Sequence, residues 1–101
     1  GQFFDLAHIF ELNGLPSEQH AYLFNGDIVD RGAYSVECLL LLLAFKAALP
    51  HRLFIARGNH ESRTVNNMHG FLQESSRKYG GDQFFHLANR VMDALPLGHL
   101  I

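Results

Sequence analysis

The sequence has few of the features that mark a specialised class of protein. It holds a single cysteine, Cys38, which excludes an internal disulfide and suits a reducing compartment. The formal net charge is only −2, so no basic field argues for nucleic acid or an anionic membrane as a partner. The longest uninterrupted apolar run, 38–45, is far shorter than the roughly 20 residues that a membrane-spanning helix needs. No repeat, low-complexity tract or linker divides the 101 residues, so we expect no domain boundary within them.

The two ends of the sequence also lack expected features. No signal or transit peptide opens the chain, and Gly1 stands where an initiator methionine would be. An apolar, strand-like stretch, 95–101, closes it with nothing to pair or turn it. Natural domains seldom stop inside an apolar strand, because its edge would be left exposed. We therefore expect an excerpt of a larger domain. We also predict a cytoplasmic location that could extend to the nucleus.

Apolar periodicity and turn residues predict an alternation of helices and short strands. The predicted helices are 3–12, 36–49, 63–68, 71–79 and 82–95, and the predicted strands are 21–24 and 52–56. Ser35 and Ser62 are expected to cap the helices that follow them. Strand, helix and strand form a βαβ unit, so both strands should be parallel and buried. The loops at their carboxyl ends should then form the ligand crevice.

Two polar motifs follow the two predicted strands. They are residues 26–32 (GDIVDRG) and 57–61 (RGNHE), and one crossover should bring them to the same edge of the sheet. Their side chains include two aspartate carboxylates, an amide, an imidazole and a guanidinium. These groups are the ones needed to hold a divalent metal beside a phosphate and to protonate a leaving oxygen. The motifs therefore predict metal-assisted hydrolysis of a phosphate ester.

Each charged residue of the first motif has a functional and a structural interpretation. Asp27 could ligate a cation or bridge two, or it could simply cap the turn after Gly26. Asp30 could be a second ligand, the partner that orients a protonated His60, or half of an ion pair with an arginine of either motif, Arg31 or Arg57. Arg31 carries a planar fork suited to two phosphate oxygens, and the alternative is an exposed surface arginine.

The second motif supplies a neutral ligand and a proton donor. Asn59 offers an amide oxygen, although such a residue alone is more often part of a turn. His60 could deliver a proton to an alkoxide leaving group. Glu61 could support a ligand or favour a helix start, and Arg57 could contact phosphate or form a structural ion pair. The histidines interpreted as structural or solvated are His8, His20, His51, His69, His86 and His99.

Both motifs resemble the second and third signatures of the serine/threonine phosphoprotein phosphatases, within the metallophosphoesterase superfamily. The segments most similar to the type 5 branch are 1–6, 9–16, 22–25, 35–37 and 95–97, and the resemblance runs the whole chain. It implies an α/β fold, a fragment of a metallophosphoesterase-type sandwich with a parallel βαβ core and flanking helices. Residues 1–101 would then be part of one calcineurin-like phosphoesterase domain, the serine/threonine phosphatase catalytic domain.

The resemblance also implies a role for each matching residue. Asp27 would bridge two metals and Asn59 would ligate the second; Arg31 would bind substrate phosphate. His60 would be the general acid, with Asp30 holding it. The cofactors would be two divalent ions, manganese in the first instance and iron or zinc as alternatives. A hydroxide bridging two cations about 3.5–4 Å apart would attack phosphorus in line. The partners would be phosphoserine and phosphothreonine proteins, with neither nucleic acid nor membrane involved.

The sequence departs from the family pattern in three places. The family's first signature, Gly-Asp-x-His-Gly, would end at Gly1, and its later histidine ligands and second arginine would follow Ile101. His69 stands where the family usually has an aromatic residue, and 72–75 diverges, which affects the substrate groove. With only two of the ligands present, we expect these residues expressed alone to bind manganese weakly and to lack turnover.

Two other functions remain as alternatives. One is a metallophosphoesterase that acts on nucleotides or nucleic acid, since such enzymes share the aspartate and Asn-His motifs. The other is an inactive fragment that serves as an interaction module. Arg31 and the length of the resemblance favour the protein phosphatase.

Overall fold

Five α-helices and a two-stranded sheet form the part of the chain that the computed structural model describes, residues 1–99. In chain order the elements are α1 (Phe3–Asn13), β1 (Tyr22–Phe24), α2 (Ser35–Ala48), β2 (Leu53–Ile55), a 3₁₀ turn (Asn59–Glu61), α3 (Arg63–Asn66), α4 (Phe71–Tyr79) and α5 (Gln83–Asp93). Every helix and strand predicted between residues 3 and 95 is present, with its ends within two residues of the predicted ones. The α/β fold class is confirmed.

The two strands are parallel, as a βαβ unit requires. Tyr22 lies opposite Leu53 and Phe24 opposite Ile55, and α2 forms the crossover between them. β2 is buried, with Leu53 and Ile55 0% and 2% exposed. The prediction that both strands are buried is wrong for β1, where Leu23 is 45% exposed. The face of β1 that carries Leu23 therefore stays in contact with solvent. Within residues 1–99 no third strand pairs with the free edge of β1.

The hydrophobic core lies around α2. This helix packs against β2, α1 and α4, and α4 packs in turn against α5. Leu39 and Leu42 of α2 are buried together with Phe71 of α4 and Met92 of α5. Cys38 is a free thiol in the same core, where burial raises its pKa. None of the helices in residues 1–99 has the length and apolar character that crossing a bilayer requires.

Ser35 does not cap α2 as predicted, because a carboxylate from α4 takes that role. Ser35 is the first residue of the helix, and its hydroxyl accepts the N–H of Asp30 at 2.9 Å. The backbone N–H groups of Ser35 and Val36 donate to the Glu74 carboxylate at 2.9 and 2.7 Å. A carboxylate satisfies two of the unpaired N–H groups and also interacts favourably with the positive end of the helix dipole. Glu74 thereby ties α4 to the start of α2.

Two other local predictions differ from the structure. Ser62 stands at the N-cap of α3 but makes no capping hydrogen bond, and its hydroxyl lies 3.0 Å from that of Thr64. The strand predicted at the end of the chain is absent from 95–99, and its last two residues lie outside the described range. Instead, the carbonyl of Pro96 accepts the N–H of Arg57 at 2.8 Å, which holds the segment beside the end of β2.

The charge on Glu74 makes this helix cap sensitive to acid. Burial would raise the pKa of Glu74, but the N–H groups of Val36 and Ser35 and the Lys78 ammonium outweigh it and lower the pKa. A lowered pKa means that the native state favours the ionised form. The resulting stabilisation is complete above the ordinary carboxyl value of about 4.3 and is lost as pH falls through the lowered native value.

Glu74→Gln is therefore expected to lower the free energy of unfolding at pH 7 by about 1–3 kcal/mol, since hydrogen bonds to a charged acceptor are lost. The variant should also lose less stability than the parent when the pH falls below about 4.3. Urea unfolding at pH 7 and at decreasing acid pH measures both effects. Glu11→Gln, at an exposed carboxylate of α1, is the control and should change stability by less than about 0.5 kcal/mol. Equal pH slopes for Glu74→Gln and the parent would contradict the assignment.

Candidate functional site

The two polar motifs meet where the parallel strands end. A Cβ atom placed on Gly26 would lie 2.2 Å from the backbone nitrogen of Gly58. One placed on Gly58 would lie 2.3 Å from Oδ1 of Asp27. The loops are thus in backbone contact, which only residues without a side chain at these two positions permit. The expectation that one crossover brings the motifs together is confirmed.

The first loop holds three residues in a conformation that side chains usually avoid. Asp27, Asp30 and Arg31 have φ values of 56°, 68° and 53°, all in the left-handed region. Such residues cost of order 1–3 kcal/mol each and cluster at functional sites, where the surrounding structure holds them in place. The strain falls on the three charged residues of this motif.

Asp30 and His60 form a buried pair. His60 Nδ1 lies 2.8 Å from Asp30 Oδ2, and the Asp30 side chain is fully buried. The second carboxylate oxygen, Oδ1, accepts the N–H of Phe71 at 3.0 Å. Because a carboxylate accepts hydrogen bonds, Nδ1 carries the proton in this pair and Nε2 is the ring nitrogen left for other chemistry. The structure therefore pairs Asp30 with the histidine and with neither arginine.

Asp27 and Asn59 are the exposed oxygen donors of the two loops. Asp27 Oδ1 accepts the N–H of His60 at 3.3 Å, so the carboxylate lies against the start of the 3₁₀ turn that holds Asn59. A carboxylate and an amide oxygen are donors that hard divalent cations prefer, so they fit such an ion. Within residues 1–99 no three His, Cys, Asp or Glu side chains converge, so these two donors supply part of a coordination sphere.

Arg31 faces the same space as the acidic residues and His60. Asp27, Asp30, Arg31 and His60 line one cavity of about 100 Å³, whereas Asn59 is not part of its lining. The Arg31 side chain is exposed and enters no salt bridge within residues 1–99. Its guanidinium is thus available to an anion that enters the cavity.

The sequence left two roles open for Glu61, support of a ligand or a helix start, and the structure shows contacts that the sequence did not indicate. Its side chain is fully buried and accepts four backbone N–H groups, from Asp27, Ile28, Val29 and Gly58. Three of these donors belong to the other loop. No local sequence pattern reveals these three contacts, because Asp27, Ile28 and Val29 lie more than 30 positions from Glu61.

The remaining candidates have structural partners. Arg57 donates to Asp93 at 2.8 Å through a terminal nitrogen and to the carbonyl of Glu61 at 2.9 Å through Nε, which favours the structural interpretation. His86 lies between Arg63 and Asp82, at 2.7 and 3.2 Å. His69, interpreted as structural or solvated, is exposed, yet its ring lies 5.7 Å from that of His60.

Comparison with known proteins identifies a family along the whole chain. The family described as calcineurin-like phosphoesterase matches residues 1–101. The serine/threonine-protein phosphatase 5 of Arabidopsis thaliana is 54% identical over all 101 residues, which make up 19% of that protein. The human serine/threonine-protein phosphatase 5 is 50% identical over the same residues, which make up 20% of it. The chain thus spans about a fifth of the length of these relatives.

A solved structure shows the same fold. It is a protein serine/threonine phosphatase from Saccharomyces cerevisiae, described as similar to human phosphatase PP5. The TM-score is 0.93 at 41% identity, over 96% of this chain and 30% of the yeast chain. The resemblance to the type 5 branch is confirmed by these relatives, and the family match implies divalent metal ions as cofactors.

Proposed function

We propose that this chain, which belongs to the calcineurin-like phosphoesterase family, carries part of the active site of a serine/threonine protein phosphatase. The observation that carries the proposal is the buried Asp30–His60 pair, 2.8 Å apart, in one cavity with Asp27 and Arg31. The relatives named as serine/threonine-protein phosphatases support the choice of phosphoprotein substrates. Residues 1–101 would form part of a single catalytic domain.

Asp27 and Asn59 would hold the cations, which we propose to be two manganese ions. When bound, divalent cations supply Lewis acidity that activates water and stabilises charge on the phosphate. The backbone around Asp27 is already fixed in the left-handed region, with its N–H bound to Glu61, so little reorganisation is needed at this donor. We further propose a cytoplasmic location that could extend to the nucleus.

His60 would protonate the leaving alkoxide of the substrate. With Nδ1–H directed at Asp30, the ring is held in one orientation, and Nε2 is the atom that transfers the proton. Before the transfer, Nε2 must carry the proton that the alkoxide receives. The backbone N–H of Phe71 donates to the Asp30 carboxylate, and the Ser35 hydroxyl accepts the backbone N–H of Asp30, so the pair rests on both α4 and α2.

Arg31 would bind the phosphate of the substrate, so Arg31→Ala is expected to raise both KM for a phosphoserine peptide and the Ki of inorganic phosphate by about 10- to 100-fold. This range corresponds to the 1.5–3 kcal/mol of a hydrogen bond to a charged group. Because Arg31 is exposed, its loss should change the unfolding free energy by less than about 0.5 kcal/mol. Steady-state kinetics and urea unfolding measure these quantities.

Two further variants sharpen this experiment. Arg31→Lys should restore only part of the affinity, since a point charge does not match two oxygens. Arg90→Ala, at an exposed arginine of α5, should leave KM and Ki unchanged. An unchanged phosphate Ki in Arg31→Ala would remove Arg31 from phosphate binding.

The function itself is tested with the complete protein that carries this sequence. Phosphate release from a phosphoserine peptide is measured with manganese, after treatment with EDTA, and after manganese is added back. A phosphodiester and a nucleotide are assayed in parallel. We expect manganese-dependent release from the peptide that greatly exceeds turnover of the other two. Preference for the nucleotide or diester would favour a different phosphoesterase, and no turnover of any substrate would favour the interaction module.

A further inference from the structure

We infer that Glu61 is a positioning residue, whose carboxylate joins the two motif loops and thereby places Asp27 and Asn59 for metal binding. The inference rests on the proposed function, because it takes these two residues as ligands. It goes beyond that function in giving a role to a side chain that is fully buried and does not line the cavity of Asp27, Asp30, Arg31 and His60.

Four hydrogen bonds carry this inference. Glu61 Oε1 accepts the N–H of Asp27 at 2.5 Å and that of Gly58 at 3.0 Å. Glu61 Oε2 accepts the N–H groups of Ile28 and Val29 at 3.0 and 3.4 Å. One carboxylate therefore binds the backbone of the proposed bridging ligand and the residue just before Asn59. If the Glu61 carboxylate moved, the spacing between the two proposed metal ligands, Asp27 and Asn59, would change with it.

A role in starting the 3₁₀ turn does not account for this arrangement. The local contact, to Gly58, is one bond out of four, and the other three reach across to the first loop. The side chain is fully buried, and within residues 1–99 neither lysine nor arginine forms a salt bridge with its carboxylate. Only backbone N–H groups offset the cost of burying this carboxylate. A turn that needed only a local contact would not require so costly a burial.

All four partners of the Glu61 side chain are backbone N–H donors, so both of its oxygens serve as acceptors. Glutamine has the same shape, but its NH₂ group would replace one of the two acceptor oxygens. In place of Oε1 it would face the N–H groups of Asp27 and Gly58, and in place of Oε2 those of Ile28 and Val29. Glu61→Gln therefore removes about half of the acceptor capacity without removing volume. Glu61→Asp keeps the charge but is one methylene shorter, so it reaches one loop less well.

Glu74 offers a matched control for the same substitution. It is also a buried carboxylate that accepts two backbone N–H groups from a distant segment, but those belong to Ser35 and Val36. Glu74→Gln should therefore reduce stability without separating the two proposed metal ligands. Any effect of lower stability alone on metal binding would appear in both variants.

The test is calorimetric titration of the metal-free complete protein with manganese, at a temperature where circular dichroism shows each variant fully folded. We expect Glu61→Gln to raise the manganese Kd by about 10- to 100-fold, the range seen when groups that support metal ligands are changed. Glu61→Asp should give a smaller rise, and Glu74→Gln should stay within about threefold of the parent, since it lacks that contact.

Each other outcome has a defined meaning. If the parent itself binds no manganese, the proposed function fails. If the parent binds manganese and the Kd of Glu61→Gln equals that of the parent or that of Glu74→Gln, only the role of Glu61 is overturned. Should Glu61→Gln not fold, Glu61→Asp decides: a weaker Kd than that of Glu74→Gln supports positioning, and an equal one overturns it. If neither Glu61 variant folds, the carboxylate serves folding alone and the inference is overturned.

Discussion

Replacing His60 with asparagine is expected to lower kcat on a phosphoserine peptide by about 10²–10⁴-fold, the usual contribution of a general acid. The serine alkoxide is a poor leaving group and needs a proton, which the ring would deliver from Nε2. Nδ1 is engaged by Asp30 at 2.8 Å, so the ring has one orientation and one free nitrogen. Asparagine retains a polar group in a similar space but supplies no transferable proton.

The leaving group provides the decisive comparison. Nitrophenol leaves readily without a proton, so His60→Asn should reduce turnover of nitrophenyl phosphate much less than turnover of the peptide. Metal content should remain close to that of the parent, because the proposed ligands are Asp27 and Asn59. His51→Asn, at an exposed turn before β2, is the control and should affect neither substrate. Equal losses on both substrates would remove His60 from the role of acid.

Much of this arrangement was predictable, because the residues involved lie in short local patterns. Apolar runs followed by glycine-bounded polar motifs predict strands that end in functional loops. The parallel pairing of Tyr22–Phe24 with Leu53–Ile55 then follows from the intervening helix. For Asp30, however, the sequence left three partners open, since an arginine lies next to it and another in the second motif. Only the folded loop shows that its carboxylate turns toward His60.

The sequence raised Glu61 as a support for a ligand, but it indicated neither the contacts of that carboxylate nor any role for Glu74, and the reason is physical. Glu61 and Glu74 satisfy backbone N–H groups 32 or more positions away in the chain, as the contacts to Val29 and Ser35 show. Helix-cap rules are local, and they favoured Ser35 and Ser62 because a short hydroxyl can reach its own helix start. At α2 the Glu74 carboxylate, from α4, takes the capping role predicted for Ser35. At α3 the side chain of Ser62 makes no capping hydrogen bond.

The closeness of the two loops requires glycine at position 26. Gly26→Ala is expected to lower the free energy of unfolding by about 2–4 kcal/mol. Of this, about 1 kcal/mol comes from the left-handed φ of +88°. The rest, about 1–3 kcal/mol, comes from overpacking, because the new Cβ would lie 2.2 Å from the nitrogen and 2.5 Å from the Cα of Gly58. These are backbone atoms, so no side chain can rotate to relieve the contact.

Gly80→Ala separates the two causes. Gly80 also has a left-handed φ, +72°, but a Cβ there would meet nothing within 4 Å. This variant should therefore lose only about 1 kcal/mol, the conformational part. Urea unfolding of both variants gives the difference, and manganese titration should show weaker binding for Gly26→Ala alone, because the strain relaxes by displacing Asp27. Equal losses of stability would mean that the loops can separate freely at this point, and the proposed dependence of the metal ligands on their contact would then be wrong.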